Sequence, residues 1–223
     1  MKVNFGIIGF GLFAENYLLR AFDDTPSARL VAITKTKQAD AEKRAELFGI
    51  ERGYSYADKD KMLSDPNIQA VYIATPNNCH CDDTIDALKA GKHVIVEKPM
   101  AMNAVECEKM VAAARQYRKK LMIAHCLRFN STVLFIKNLI ASGALGNLVA
   151  GTCDFMSEGK KSTRQWKYNK KLAGGGAAFD LGVHVIDTLR CLANSKIKKV
   201  YCSRRPDPDR KSTRLNSSHR IRS

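Results

Sequence analysis

Short aliphatic runs alternate along the first half of the chain with segments whose apolar positions recur every three or four residues. Residues 3–8, 29–34, 68–75 ("IQAVYIAT"), 93–97 ("HVIVE") and 120–125 ("KLMIAH") are bounded runs of strand length. Between them, residues 12–22, 39–48, 79–89 and 103–117 carry a helical period. The punctuation agrees. Gly49 and Gly91 follow two of the helices, "SDPN" at 64–67 is a turn, and Asn103 with Glu106 forms a capping-box pattern. Aliphatic strands separated by helices imply βαβ units and a parallel sheet. Right-handed crossovers make that an α/β, doubly wound domain, placed at residues 1–125.

The pattern changes afterwards. Residues 132–141 read as a helix ending at Gly143, and "LVAGTCDF" at 148–155 reads as a strand. The polar, basic stretch at 157–172 reads as a loop. "GGGAAFDLGVHVIDTLR" at 174–190 reads as a glycine turn and a helix, and "IKKVYCS" at 197–203 as another strand. Residues 126–205 are therefore expected to be the start of an α+β open-sheet domain that is cut short. Apolar periodicity stops at Pro206. Within 209–219, "DRKSTRLNSSH" resembles the translation of a sequencing adapter, so residues 206–223 are expected to be a disordered, artefactual tail.

Charge needs this division before it can be interpreted. The 223-residue chain carries a formal +15, which by itself would suggest a nucleic-acid or acidic partner. Residues 209–223 hold five Arg/Lys and one Asp, so the remainder carries +11 without a long basic run. Its bases are not interleaved with stacking aromatics, which argues against nucleic acid. Seven scattered cysteines without a C-x-x-C pair argue against a zinc site and for reduced thiols in a cytoplasmic protein. No apolar run is long enough for a membrane helix, and the N-terminus lacks the apolar region of a signal peptide.

Three constellations carry chemistry. In "GIIGFGLFA", Gly9, Gly11 and Ala14 match G-x-G-x-x-[G/A] between a strand and a helix, with Phe10 and Leu12 between them. Gly9 makes the tight turn, Gly11 lets the backbone approach a pyrophosphate, and Ala14 permits close helix–strand packing. The second strand ends in Thr34, Lys35, Thr36 and Lys37, with no acid to hold a ribose 2′-hydroxyl, so NADP is expected over NAD. Solvated surface lysines are the alternative.

The second constellation is "VIVEKPMAM", where Glu97 and Lys98 follow a buried strand and Pro99 ends the ladder. "ATPNNCH" brings Thr75, Pro76, Asn77 and His80 to the same strand ends. An exposed salt-bridging lysine is the plainer reading of Lys98. The third is the pair Asp180 and His184, four apart on a helix, with Asp187 near the same stripe. A carboxylate beside an imidazole favours its charged form and suits a proton donor to a developing alkoxide. A hydrogen-bonded core histidine fits the spacing equally well.

Taken in order, "GIIGFGLFA", "AVYIATPNNCH", "AGKHVIVEKPMA" and "GGGAAFDLGVHVID" resemble the glucose–fructose oxidoreductase/inositol dehydrogenase (Gfo/Idh/MocA) family, over about residues 2–201. The resemblance implies a Rossmann domain followed by an α/β domain with a large open sheet. It also implies hydride transfer between NAD(P) and a sugar, polyol or related carbonyl. By motif, Lys98 looks like the catalytic lysine, His184 the acid/base histidine and Asp180 the acid beside them. Thr75, Pro76, Asn77 and Glu97 would line the nicotinamide side. Trp166-Lys167 stands where the family often has Trp-Arg, which keeps charge but loses bidentate geometry. Arg128 matches a frequent basic position. Members run about a hundred residues longer, and the missing sheet commonly supplies an oligomer face, so a homo-oligomer is implied for the full-length protein. A non-catalytic dinucleotide sensor and a dihydrodiol or imine reductase share the scaffold. The trio Lys98, Asp180 and His184 favours an enzyme over a sensor.

Overall fold

The computed structural model describes residues 2–155 and 165–201. The expected tail at 206–223, much of the loop at 157–172 and the end of the 197–203 segment lie outside the described residues. Contacts divide the chain into two units, Met1–Ala124 and His125–Ser223.

The first unit is a six-stranded sheet. Its strands are β1 (Val3–Ile8), β2 (Ala28–Lys35), β3 (Arg52–Ser55), β4 (Ala70–Ile73), β5 (His93–Val96) and β6 (Leu121–Ile123). All pairs are parallel, in the order β3-β2-β1-β4-β5-β6. Between the strands run α1 (Leu19–Asp23), α2 (Gln38–Leu47), α3 (Lys59–Leu63), α4 (His80–Lys89) and α5 (Ala104–Gln116). A π-helical turn, Ala14–Leu18, leads into α1.

Successive strand residues face opposite sides. Ile8 joins one core with Val71, Val94 and Val96 of the sheet and Met62, Leu88 and Met110 of the helices. Ile7 joins another with Ile33, Leu18 and Ala45. Helices thus cover both faces, as a doubly wound sheet requires. Each fully buried Ile, Leu or Met contributes about 1.5–3 kcal/mol.

Two elements of this unit lie outside the expectation. β3 reads "RGYS", a polar edge strand with no apolar alternation to mark it. It forms because Gly53 lets its backbone lie against α2: a Cβ there would come within 2.4 Å of the Ala41 carbonyl. α3 is a single turn, too short to show a period. The capping box is realised with one change. Asn103 accepts from the Glu106 N–H at 3.0 Å, but the Glu106 carboxylate takes the Met102 N–H rather than that of Asn103.

In the second unit the described elements are helical: α6 (Ser131–Ala141), α7 (Lys170–Ala173) and α8 (Val183–Ala193). A π-helical turn, Ala178–Gly182, precedes α8. Among the described residues, neither 148–155 nor 197–201 forms the expected strand. Residues 148–155 hold one bridge position, Gly151, and residues 197–201 are irregular. A β-rich sequence becomes a strand only against a neighbour that accepts its backbone, and the described residues here provide no such ladder.

Candidate functional site

In a doubly wound sheet, ligands collect where the strand order reverses, outside the carboxyl ends of the strands. Here the order reverses between β1 and β4. The loop after β1 is the glycine loop. Gly9 has φ +87°, and a Cβ on it would lie 2.8 Å from the Thr75 backbone nitrogen. Only glycine fits both the conformation and the space. Its N–H donates to Thr34 Oγ1 at 3.0 Å, and the Phe10 N–H donates to the Thr34 carbonyl at 2.8 Å. Thr34 is therefore buried scaffold for the loop. Gly11 is different: a Cβ there meets nothing within 4 Å. The space beside it is open, as a cradle for a pyrophosphate would be, and helical structure begins at the next residue. Ala14 is fully buried, as close helix packing requires.

The basic end of β2 is partly engaged. Lys35 Nζ donates to the Phe10 carbonyl at 3.0 Å and lies 3.4 Å from Glu15 Oε1, which is also 3.4 Å from Arg44. Thr36 and Lys37 are exposed. Arg44 was not among the expected residues. It lies in α2, where no motif marks it, and only the fold brings it to Glu15.

After β4, Thr75 and Asn77 are buried. Thr75 Oγ1 donates to Asp83 Oδ2 at 2.9 Å. Asp83 is fully buried and its other oxygen accepts from Tyr56 at 2.8 Å and Lys59 at 2.6 Å. Burial and the Asp83 carboxylate push the Tyr56 hydroxyl's pKa up. Burial is the largest influence and opposes the Lys59 charge, but Asp83 and Asp86, the latter 3.0 Å away, together hold the ammonium above its ordinary range. No sequence motif marks this hub. Its signal was the apolar-face stripe His80, Asp83, Thr84, Ala87, Leu88 at helical spacing, which marks Asp83 as inward-facing. His80 itself is buried, with both ring nitrogens near backbone carbonyls.

After β5, Glu97 and Lys98 are half-buried. The Tyr72 hydroxyl donates to Glu97 Oε1 at 2.5 Å and the Lys98 N–H to Glu97 Oε2 at 3.2 Å. The Lys98–Pro99 bond is cis. The first unit thus gathers the glycine loop, the 75–77 segment and the 97–98 segment at the carboxyl edge of one sheet.

The second unit carries the remaining residues. Asp180 lies in the π-helical turn, where its Oδ2 accepts from Lys167 Nζ at 2.6 Å. Trp166 and Lys167 sit in a short 3₁₀ turn, Gln165–Tyr168. His184 stacks on Phe155, ring centroids 6.0 Å apart, and meets the His125 ring edge-on at 6.5 Å. Arg128 forms a two-pronged bond to Asp187, Nε to Oδ2 at 2.7 Å and the other prong at 2.5 Å. That fork raises the guanidinium's pKa and commits Arg128 to Asp187. Among the described residues no cluster of His, Cys, Asp or Glu could hold a metal, and no helix is long and apolar enough to cross a membrane.

A parallel doubly wound sheet with a glycine loop at its reversal point defines the Rossmann class of dinucleotide-binding proteins. Comparison with known proteins narrows the class. Residues 3–125 match the model of an oxidoreductase family with an NAD-binding Rossmann fold, and residues 133–216 that of the GFO/IDH/MocA C-terminal domain. The chain belongs to the Gfo/Idh/MocA oxidoreductase family. The second match overlaps residues 206–216, part of the expected tail.

The 1,5-anhydro-D-fructose reductase of Ensifer adhaerens is 32% identical over 189 residues, covering 85% of this chain and 56% of that protein. The structure of an aldose-aldose oxidoreductase from Caulobacter crescentus, complexed with glycerol, is 32% identical with TM-score 0.81. It covers 87% of this chain and 58% of that one. Levoglucosan dehydrogenase in complex with NADH and levoglucosan is also 32% identical, with TM-score 0.76, covering 86% and 54%. The levoglucosan dehydrogenase of Pseudarthrobacter phenanthrenivorans is 33% identical over 202 residues. The chain spans little more than half the length of these relatives.

Proposed function

We propose that the chain is the cofactor-binding and reacting part of an NAD(P)-dependent oxidoreductase acting on a sugar, polyol or related carbonyl. The observation that carries this reading is the open space beside Gly11, at a reversal point flanked by the segments bearing Thr75, Asn77, Glu97 and Lys98. Gly9, Phe10, Gly11, Leu12 and Ala14 would hold the pyrophosphate, and Thr75, Pro76, Asn77 and Glu97 would line the nicotinamide side. When bound, the dinucleotide supplies or accepts the hydride. Lys98 hydrogen-bonds the reacting oxygen and stabilises its negative charge. His184, carried by the second unit, is the proposed acid/base group, and Lys167 bonds Asp180 within that unit. The relatives named for sugars and anhydrosugars support the substrate class.

For the cofactor, NADP is the favoured reading. No acid stands at the end of β2, and Lys35, Lys37 and Arg44 lie in or just after that strand or on the next helix. Glu15 offsets part of this charge by holding Lys35 and Arg44. The NADH complex of a relative supports the competing choice. Turnover of a panel of sugars and inositols with NADPH and NADH tests both points. Lys98→Ala or His184→Ala is expected to slow the chemical step by about 10²–10⁴-fold. Full turnover in Lys98→Ala would refute the assignment, and tighter NADH than NADPH binding would reverse the cofactor preference.

A further inference from the structure

One imidazole touches both strand-end segments of the first unit. His80 opens α4 and is 1% exposed. Its Nδ1 lies 2.8 Å from the Pro99 carbonyl oxygen, and its Nε2 lies 2.9 Å from the Thr75 carbonyl oxygen. A carbonyl oxygen only accepts hydrogen bonds. A neutral imidazole has one N–H, so it satisfies one carbonyl and turns a lone pair toward the other. Both contacts are bonds only when both nitrogens carry protons. We infer that His80 is a proton-dependent clamp: doubly protonated, it ties the 75–77 segment to the 97–99 segment and so positions Lys98.

The surroundings set the limits of the clamp. Asp83, one turn further along α4, is fully buried and favours the charged ring; Thr75 links the two, its carbonyl facing His80 and its hydroxyl donating to Asp83. Lys59 and Tyr56 act on the ring through Asp83. Burial is the largest influence and lowers the imidazole's pKa; the two carbonyls and Asp83 raise it, and Lys98 lowers it. The net direction is downward. Both ties therefore hold below this lowered pKa, and one is lost as pH rises through it. Losing a tie frees one segment end, and a displacement of about 1 Å at a reacting group can cost on the order of 10²-fold in rate.

The effect on Lys98 rests on the oxidoreductase reading; the clamp itself does not. Nitrogen-15 NMR of the unaltered chain, titrated over about pH 5–8, reads the ring directly. His80 is assigned by loss of its signal in His80→Asn. The expected result is two protonated ring nitrogens at the acid end and loss of one proton below the ordinary imidazole range. The carbonyl carbon of Thr75 or of Pro99 should shift in the same step. A ring that stays neutral while the chain is folded, or carbonyls that ignore its titration, would overturn the clamp. In the kinetic arm, His80→Phe keeps the volume and removes both donors. Its kcat is expected to fall by about 10–100-fold with substrate KM changed by less than about threefold. An unchanged kcat per folded molecule would overturn the positioning role. Absence of turnover in the unaltered chain would count against the oxidoreductase reading alone, and the NMR result would still decide on the clamp.

Discussion

Asp83 in the first unit and Asp187 in the second are both buried carboxylates, satisfied in different ways. Asp83 takes donors from three side chains, Tyr56 and Lys59 after β3 and Thr75 after β4. Asp187 takes one guanidinium, that of Arg128, whose side chain is 46% exposed, with His125 Nδ1 at 3.9 Å from the same carboxylate. The first arrangement is a hub joining the segment after β3 to the segment after β4. The second is a pair joining the start of α6's segment to α8. A hub fixes several strand ends at once, which suits a site whose groups must hold position on a rigid scaffold. The Arg128 fork orients one helix, and it does so from a side chain half exposed to solvent, where screening weakens the interaction.

The sharpest way to break this contrast is to remove each carboxylate. Asp83→Ala leaves the Tyr56 and Thr75 hydroxyls without their buried acceptor, while Lys59 keeps Asp86 at 3.0 Å, and a stability loss of about 2–4 kcal/mol is expected. Asp187→Ala leaves Arg128 free to reach water, so about 1–2 kcal/mol is expected. Urea denaturation of both variants checks the order. Equal losses would mean that the hub has no special weight.

The glycines give a second contrast, within the first unit. Gly9→Ala forces a side chain into the left-handed region and against the Thr75 backbone, and is expected to cost about 1–3 kcal/mol. Gly11→Ala should leave stability within about 0.5 kcal/mol, because nothing stands near its Cβ. Thermal melts distinguish them; comparable losses would contradict the assignment of one glycine to the turn and the other to the ligand.

The smallest effect concerns a half-buried carboxylate, Asp58. Bonds from Lys61 and then Ser55 hold the Asp58 pKa below its ordinary value. A depressed carboxylate contributes stability above its unfolded pKa and loses it as pH falls through the folded one. The stability difference between the unaltered chain and Asp58→Asn should therefore shrink on acidification below about pH 4. A difference that grows there would mean the sign is wrong.

Much of the first unit was legible because its strands are buried on both faces and announce themselves as aliphatic runs. β3 was not, since its place depends on Gly53 meeting the α2 backbone, a contact between distant residues. The glycine loop was legible by its spacing. The division of labour inside it was not, because Thr34, expected near the ribose, supports the loop from within the core. In the second unit, residues 148–155 and 197–201 had the composition of strands, but composition does not supply a partner. The Asp180–His184 spacing was visible, whereas the Lys167 bond to Asp180 spans two elements and was not.

Dinucleotide binding tests the central claim most directly. Calorimetric titration of NADPH and NADH into the chain and into Gly11→Ala should give saturable binding by the unaltered protein. In the variant, a methyl in the cradle is expected to weaken binding by about 10–100-fold with the melting temperature unchanged. A folded chain that binds neither dinucleotide, or a variant that binds as tightly as the original, would contradict the account.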